Sequence, residues 1–558
     1  MTNTFKIGIS PKILDKARNF FNSTTEDILN ELLQNSRRAG ATKVKVTKSV
    51  NDNTVIIEDN GIGIFNNGVA INLGGSSWSS KTQEKESPAG CGLFSLANLD
   101  SIIESHGKKV RLNAAAFNGA REVEIEESDF LNGTRITFRN DDNETFFNWI
   151  LKKACKFYPV EVEYNGVDLD KPKDFLEDAV YVQEWEGLRI GVVKTYQRVG
   201  SVIKLNFYGL EINCPDRRRP YFNGVLDKED LLIKIDIIDC SKLQLVLPSR
   251  KEVVSNDFLE LLFQQGRKAV FNYFKDYCAA GGTHTLSYTL WLEAKNCFGI
   301  ELPEAKESLI KWYPETDKYH NEFCSEHVEV KATNVVIYNI AQENYEQHTL
   351  YRSLCINNKA PTLVFANKDY EGYSWYKSLP KLKEVETKLT YKGITVSLQE
   401  EINEDQTDLR PDCIELELVI ETCGLDTTIT LYTDLVLAGG EYCCDLYEAI
   451  IFLSKDSKIE LEELVNVLTL CFFIPCEDSG SDSYETQMEY FSGEVWSLAR
   501  SLLLSEKEAA LASIQEAVEN HIRCLVPSGN RAVIKIQQGL VTVDLELLTE
   551  NTLEAVKE

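Results

Sequence analysis

The 558-residue sequence has no apolar stretch long enough to cross a membrane, since a spanning helix needs about eighteen apolar residues or more. Its start, MTNTFKIGISPKILDK, lacks the basic opening and apolar run of a secretory leader, so a cytoplasmic location without membrane attachment is expected. The 15 cysteines are odd in number and scattered. Their two clusters, Cys443-Cys444 and Cys471 with Cys476, fit no zinc spacing, which leaves reduced thiols as the expectation. No internal repeat is present, and no D-x-D pair with acidic partners follows residue 300. Basic residues are scarce only in the second half: residues 301–558 carry 21 Lys and Arg against 47 Asp and Glu, whereas residues 1–300 carry 38 against 40. Between 401 and 500 the count is 4 against 23. Such a field repels phosphate backbones and suits a basic protein partner, so nucleic acid is possible but not favoured there.

What is present has the ordinary composition of a globular protein, 43% hydrophobic and 26% charged. Pro11–Phe21 reads as a short helix. Thr24 or Thr25 caps a longer one to about Ala39, with Ile28, Leu29, Leu32 and Leu33 at helical spacing. Strands are expected at 42–48 and 54–58 around the turn Asn51-Asp52-Asn53, then at 109–115, 121–126 and 134–139. This pattern predicts an α+β protein whose first part, 1–150, is an α/β sandwich with helices on one sheet face. A connecting helix over 144–158 leads to a strand-rich middle part, 151–282, which closes with a helix at about 257–277 and Gly281-Gly282. Residues 283–558 form an acidic, mixed α/β region of one or two subdomains, with helices near 460–473 and 490–524 and a loop at 477–484.

Four short elements carry chemistry. Glu31 and Asn35 lie one turn apart on a helix, so a carboxylate and an amide point the same way and can hold a water and a metal ion. Glu58-Asp59-Asn60-Gly61-Ile62-Gly63 follows an apolar strand; its glycines let backbone approach a ligand, and a carboxylate can accept from an adenine amino group. Gly90-Cys91-Gly92 follows a long polar Gly/Ser/Lys stretch that reads as a mobile lid. It precedes FSLANLDSIIES, which reads as a helix whose N-terminus would favour phosphate. Gly133-Thr134 opens the strand TRITF. Each element alone has a bland reading, from a solvated helix face to an ordinary turn.

In this order and spacing, across roughly residues 1–140, the four resemble the GHKL group of ATPases with its Bergerat fold. That group comprises type II topoisomerase ATPase subunits, ninety-kilodalton heat-shock chaperones, sensor kinases, and the MutL and MORC proteins. The resemblance implies ATP and Mg2+ as cofactors. It makes Glu31 the general base and Asn35 the magnesium ligand. It assigns Asp59 to the adenine amino group with support from Thr134, Gly61 and Gly63 to the base pocket, and Gly90, Cys91 and Gly92 to the phosphates. Ser79-Ser80-Lys81 is similar to MutL and MORC lids, in which the lysine, here Lys81, approaches the phosphates. No histidine has the context of a phospho-accepting kinase residue, which points to the chaperone, MutL and MORC branch. Leu245–Glu252 looks like the chaperone loop that returns a basic residue to the γ-phosphate from a transducer-like middle domain. Arg250 is the first choice for that residue and Lys251 the second.

The implied function is an ATP-hydrolysing conformational switch acting on a protein partner or client, with an ATP-dependent homodimer implied by the family. The alternative is a nucleic-acid-associated, MutL- or MORC-like ATPase in repair or genome defence, for which Arg217-Arg218-Arg219 beside Tyr221 is the only basic and aromatic cluster.

Overall fold

The computed structural model describes residues 24–49, 51–64, 78, 80–86, 92–117, 121–195, 202–215, 222, 230–246, 252–315, 326–332, 334–398, 410–439, 446, 449–476, 480–528, 530–537 and 540–547. The expected helix over 11–21, the Arg217–Arg219 cluster and Cys443-Cys444 fall outside them. Two compact units divide the chain, Met1–Lys306 and Glu307–Glu558.

The first unit begins with a helix over Thr25–Arg38. Thr24 is extended and its hydroxyl accepts from the Asp27 N–H at 3.2 Å, so the cap falls on the first of the two threonines. Glu26 and Asp27 in the first turn and Arg37 and Arg38 in the last match the helix dipole. Ile28, Leu29, Leu32 and Leu33 are buried against Val44 and Val46 of β1 (Lys43–Ser49) and Val55 and Ile57 of β2 (Thr54–Asp59). Alternation along these strands turns one face to the helix. β3 (Ser101–Ser105), β4 (Lys108–Leu112), β5 (Ile125–Glu127), β6 (Thr134–Arg139), β7 (Glu161–Tyr164) and β8 (Val167–Asp168) complete an eight-stranded sheet of order β5-β4-β3-β6-β2-β1-β7-β8. All neighbours are antiparallel except β1 and β7. A second helix, Glu144–Cys155, adds Phe147, Ile150 and Leu151 to the same core. The helix-on-sheet layer is therefore as expected.

Two local expectations are corrected. FSLANLDSIIES is no helix: a short 3-10 turn, Gly92–Leu96, is followed by β3. Leu93, Phe94 and Leu96 pack into the core, but Ser101, Ile103 and Ser105 then alternate inward, a period of two that only a strand meets. The helix expected over 490–524 is interrupted, running as Tyr484–Leu503 and Glu506–Ala517. Ser505 and Glu508 form a capping box that restarts it.

A five-stranded sheet follows, with β9 (Ala179–Trp185), β10 (Leu188–Thr195), β11 (Val202–Phe207), β12 (Leu210–Pro215) and β13 (Asp230–Ile237) in the order β12-β11-β13-β10-β9. The helix Asp257–Ala279 lies against it through Leu262, Ala269, Val270, Phe271 and Phe274. Gly281 ends that helix at φ +93°, and Leu286, Ala294, Ile300 and Leu302 beyond it join the same core. The second unit holds a six-stranded sheet whose long strands are Lys381–Tyr391, Cys413–Thr422 and Leu425–Tyr432, with the helix Asn344–Ile356 against it, and the hairpin 530–547. Among the described residues, no helix is long and apolar enough to cross a membrane.

Candidate active site

The 25–38 helix carries Glu31, Asn35 and Arg38 on one side, since positions four and three apart stack along a helix. Glu31 is buried at 7% exposure although it is a carboxylate. Gly92 lies directly on this pair: a Cβ there would come 2.6 Å from Glu31 Oε2 and 3.2 Å from Asn35 Nδ2. A side chain at 92 would clash with the carboxylate, so glycine is what lets the backbone lie this close to the pair. Arg38 Nη1 donates to Asn35 Oδ1 at 3.2 Å.

Asp59 ends β2 and is bound from two sides. The Ser36 hydroxyl, next to Asn35 on the helix, donates to Oδ2 at 3.0 Å, and the Gly61 N–H donates to Oδ1 at 2.9 Å. Burial raises the Asp59 pKa above the usual carboxylate range, against the pull of the Gly61 N–H, the Ser36 hydroxyl and the Thr134 backbone. Thr134 is buried and pairs in register with Asp59 across β2 and β6.

The loop after Asp59 is fixed by its glycines. A Cβ on Gly61 would lie 2.7 Å from the Ala39 Cβ, and the Ile62 N–H donates to Ala39 O at 2.9 Å. Gly63 has φ +74° with Ser105 Oγ and His106 Nε2 each 2.6 Å from the position of a Cβ. Ser105 accepts from the Ile64 N–H at 2.9 Å and donates to Gly133 O at 2.7 Å; His106 Nε2 meets Ile62 O at 2.9 Å. Gly133, at φ +78°, leaves only 1.8 Å between a Cβ and Asp59 O. The Gly-Thr step, which carries almost no information as a sequence motif, is thus a steric requirement of the β2–β6 pairing.

The structure brings together Glu31, Asn35 and Gly92, and beside them Asp59, Gly61, Gly63 and Thr134. Ser36, next to Asn35 on the helix, holds Asp59 through its hydroxyl. Gly90, Cys91, Arg250 and Lys251 fall outside the described residues, as does Ser79. Lys81 lies in a seven-residue helix, Ser80–Glu86, but its side chain is not among those described.

Sequence reasoning missed Ser36, Ser105, His106 and Glu86. Glu86 ends the 80–86 helix and binds Arg37 and Arg38. No local pattern separates it from Glu84 in the same polar stretch. No group of three or more potential metal-ligating His, Cys, Asp or Glu side chains occurs among the described residues.

A helix-on-sheet layer, a buried Glu and a half-buried Asn one turn apart beneath a glycine, and a strand-end aspartate followed by two glycines define an ATPase domain of the GHKL type. Residues 23–144 match the family model described as Histidine kinase-, DNA gyrase B-, and HSP90-like ATPase, and this segment belongs to that family. Among solved structures, the chain is similar to the ATPase region of Saccharomyces cerevisiae topoisomerase II, with 14% identity over 41% of this chain and 76% of that chain and a TM-score of 0.30. It is similar to the same region bound to ICRF-187 (dexrazoxane), with 13% identity over 41% of this chain and 78% of that chain and a TM-score of 0.31. No curated protein matches the sequence.

Proposed function

We propose that the chain hydrolyses ATP and uses the cycle as a conformational switch acting on a protein partner. The observation that carries this reading is the buried Glu31 carboxylate one helical turn from Asn35, with the bare backbone of Gly92 set directly against both. A buried carboxylate beside an amide, with a glycine's backbone laid against them, suits a general base and a metal ligand better than it suits a structural helix face. Glu31 takes the proton of the attacking water. Asn35, whose carbonyl oxygen accepts from Arg38 Nη1, would turn that oxygen to Mg2+, which would neutralise phosphate charge. Asp59 accepts from the adenine amino group, with Thr134 and the bound Ser36 holding its carboxylate in place. Gly61 and Gly63 line the base pocket.

Gly90, Cys91 and Gly92 cradle the phosphates through their backbone N–H groups, and Lys81 adds a positive charge. Because Gly92–Leu96 is a short 3-10 turn, this cradle relies on backbone N–H groups rather than on a long helix dipole. Arg250, or next to it Lys251, senses the γ-phosphate from the middle part, 151–282. The acidic part, 283–558, faces the partner, and its charge supports a basic protein over nucleic acid. The chaperone, MutL and MORC branch remains the favoured one, on the strength of Ser79-Ser80-Lys81, and an ATP-dependent homodimer belongs to the same reading.

The test is nucleotide binding with Mg2+ by the wild type and Asp59→Asn. The wild type is expected to bind ATP and the variant to lose most of its affinity. Equal affinity in the two removes Asp59 from the base pocket.

A further inference from the structure

Three neighbouring strands meet one level of the sheet beside Asp59. In the order β3-β6-β2, Ser105 closes β3, Thr134 opens β6 and Asp59 closes β2. Asp59 pairs in register with Thr134, and Glu104 pairs with Arg135, so Ser105 comes level with the Gly133-Thr134 step. Ser105 is 1% exposed. Its hydroxyl donates to Gly133 O at 2.7 Å and accepts from the Ile64 N–H at 2.9 Å. A hydroxyl has one proton and lone pairs to spare, so a single oxygen serves both partners without competition.

Those partners lie on the two sides of the base pocket. Gly133 precedes Thr134, the register partner of Asp59, and Ile64 follows the Gly61–Gly63 loop. Gly63 is packed between them: a Cβ there would come 2.6 Å from Ser105 Oγ and 2.9 Å from Gly133 O. The other fastenings of the loop lie nearer its start. The Gly61 N–H is on Asp59 Oδ1, the Ile62 N–H is on Ala39 O, and Ile62 O meets His106 Nε2 at 2.9 Å. None of these three reaches Ile64. Ser105 therefore ties the far end of the loop to the strand that backs Asp59.

We infer that Ser105 is a specificity-determining positioning residue: by joining Ile64 to Gly133 it fixes the Gly61–Gly63 wall against the Asp59–Thr134 edge and makes the pocket demand a hydrogen-bond donor from the base. The inference rests on the adenine pocket proposed above. A base with an amino group at that edge donates to Asp59. A base with a carbonyl oxygen there sets oxygen against carboxylate oxygen and leaves Asp59 without its partner. That penalty is felt in full only when the base has no room to slide away. Loss of the Ser105 hydroxyl strands the Ile64 N–H and Gly133 O, loosens the wall, and lets the wrong base shift. Ser105 touches neither base nor phosphate in this scheme and acts through the backbone it holds.

The experiment compares the affinities of ATP and ITP, each with Mg2+ at pH 8, for the full-length wild type and Ser105→Ala, alongside amide exchange of residues 61–64 in the wild type without nucleotide. ITP carries a carbonyl oxygen where ATP carries the amino group. The wild type is expected to prefer ATP by about a hundredfold or more, and Ser105→Ala to lose roughly tenfold in ATP affinity with little change for ITP, so that the preference falls by the same factor. Equal losses for both nucleotides, or no loss for either, overturn the inference, because general destabilisation does not choose between bases. Fast exchange of the Ile64 amide in the wild type overturns it as well, and that arm requires no variant to fold. A wild type that binds ATP and ITP equally removes Asp59 from the base and the inference with it. A selective wild type beside an equally selective Ser105→Ala overturns the inference alone and leaves the base pocket standing.

Discussion

At the scale of single residues, each site position has a reason that can be tested separately. Gly133 has positive φ and only 1.8 Å between a Cβ and Asp59 O. Gly133→Ala is expected to destabilise the first unit by on the order of 3–4 kcal/mol, seen as a lowered denaturant midpoint with unchanged slope. Asp59 gives a pH signature. Because burial raises its pKa, it takes up a proton at a pH above the ordinary value of about 3.9. ATP affinity that depends on the carboxylate therefore falls on acidification above that value. Its contribution to stability moves the other way: the folded state binds the proton more tightly than the unfolded chain, so the cost of the buried charge is relieved as pH falls. Glu86 has the opposite sign. Its depressed pKa contributes stability that is present above about 4.3 and lost as pH drops through the lower folded value. A titration of ATP affinity alongside thermal stability separates the two, and an affinity loss no higher than that of an exposed carboxylate counts against Asp59.

Elements explain which parts of the site were legible in the sequence. The 25–38 helix was, because cap, apolar spacing and last-turn arginines all agree, and Glu31 and Asn35 follow from its period. The β2 end was legible too, since Asp59 with its glycines closes an apolar strand. The stretch after Gly92 was not. Leu93, Phe94 and Leu96 look helical, but the chain turns at Asn98–Asp100 and its next inward residues come at period two. Glu86 was invisible for a different reason: its partners are 48 and 49 residues away, and no local pattern announces a long-range ion pair. The contact between Arg37 and the Tyr208 ring is likewise long-range, and its test is at this scale. Tyr208→Ala is expected to remove a cation–π contact worth about 0.5–2 kcal/mol, seen as a lowered denaturant midpoint. An unchanged midpoint contradicts a stabilising contact there.

For the whole molecule, the charge split separates a balanced part that contains the site from an acidic part that does not. The site residues described here all lie in the unit Met1–Lys306, which has its own cores. That unit expressed alone is expected to fold and to bind ATP as tightly as the full chain, measured by calorimetry. A loss of binding would make the second unit a contributor to the pocket. The central claim, a working ATPase rather than a nucleotide holder, rests on Glu31. Its most direct test is ATP binding and turnover by the full chain and by Glu31→Ala. The account predicts that the variant keeps ATP and loses turnover by about a hundredfold or more. Equal turnover in the two proteins would contradict it.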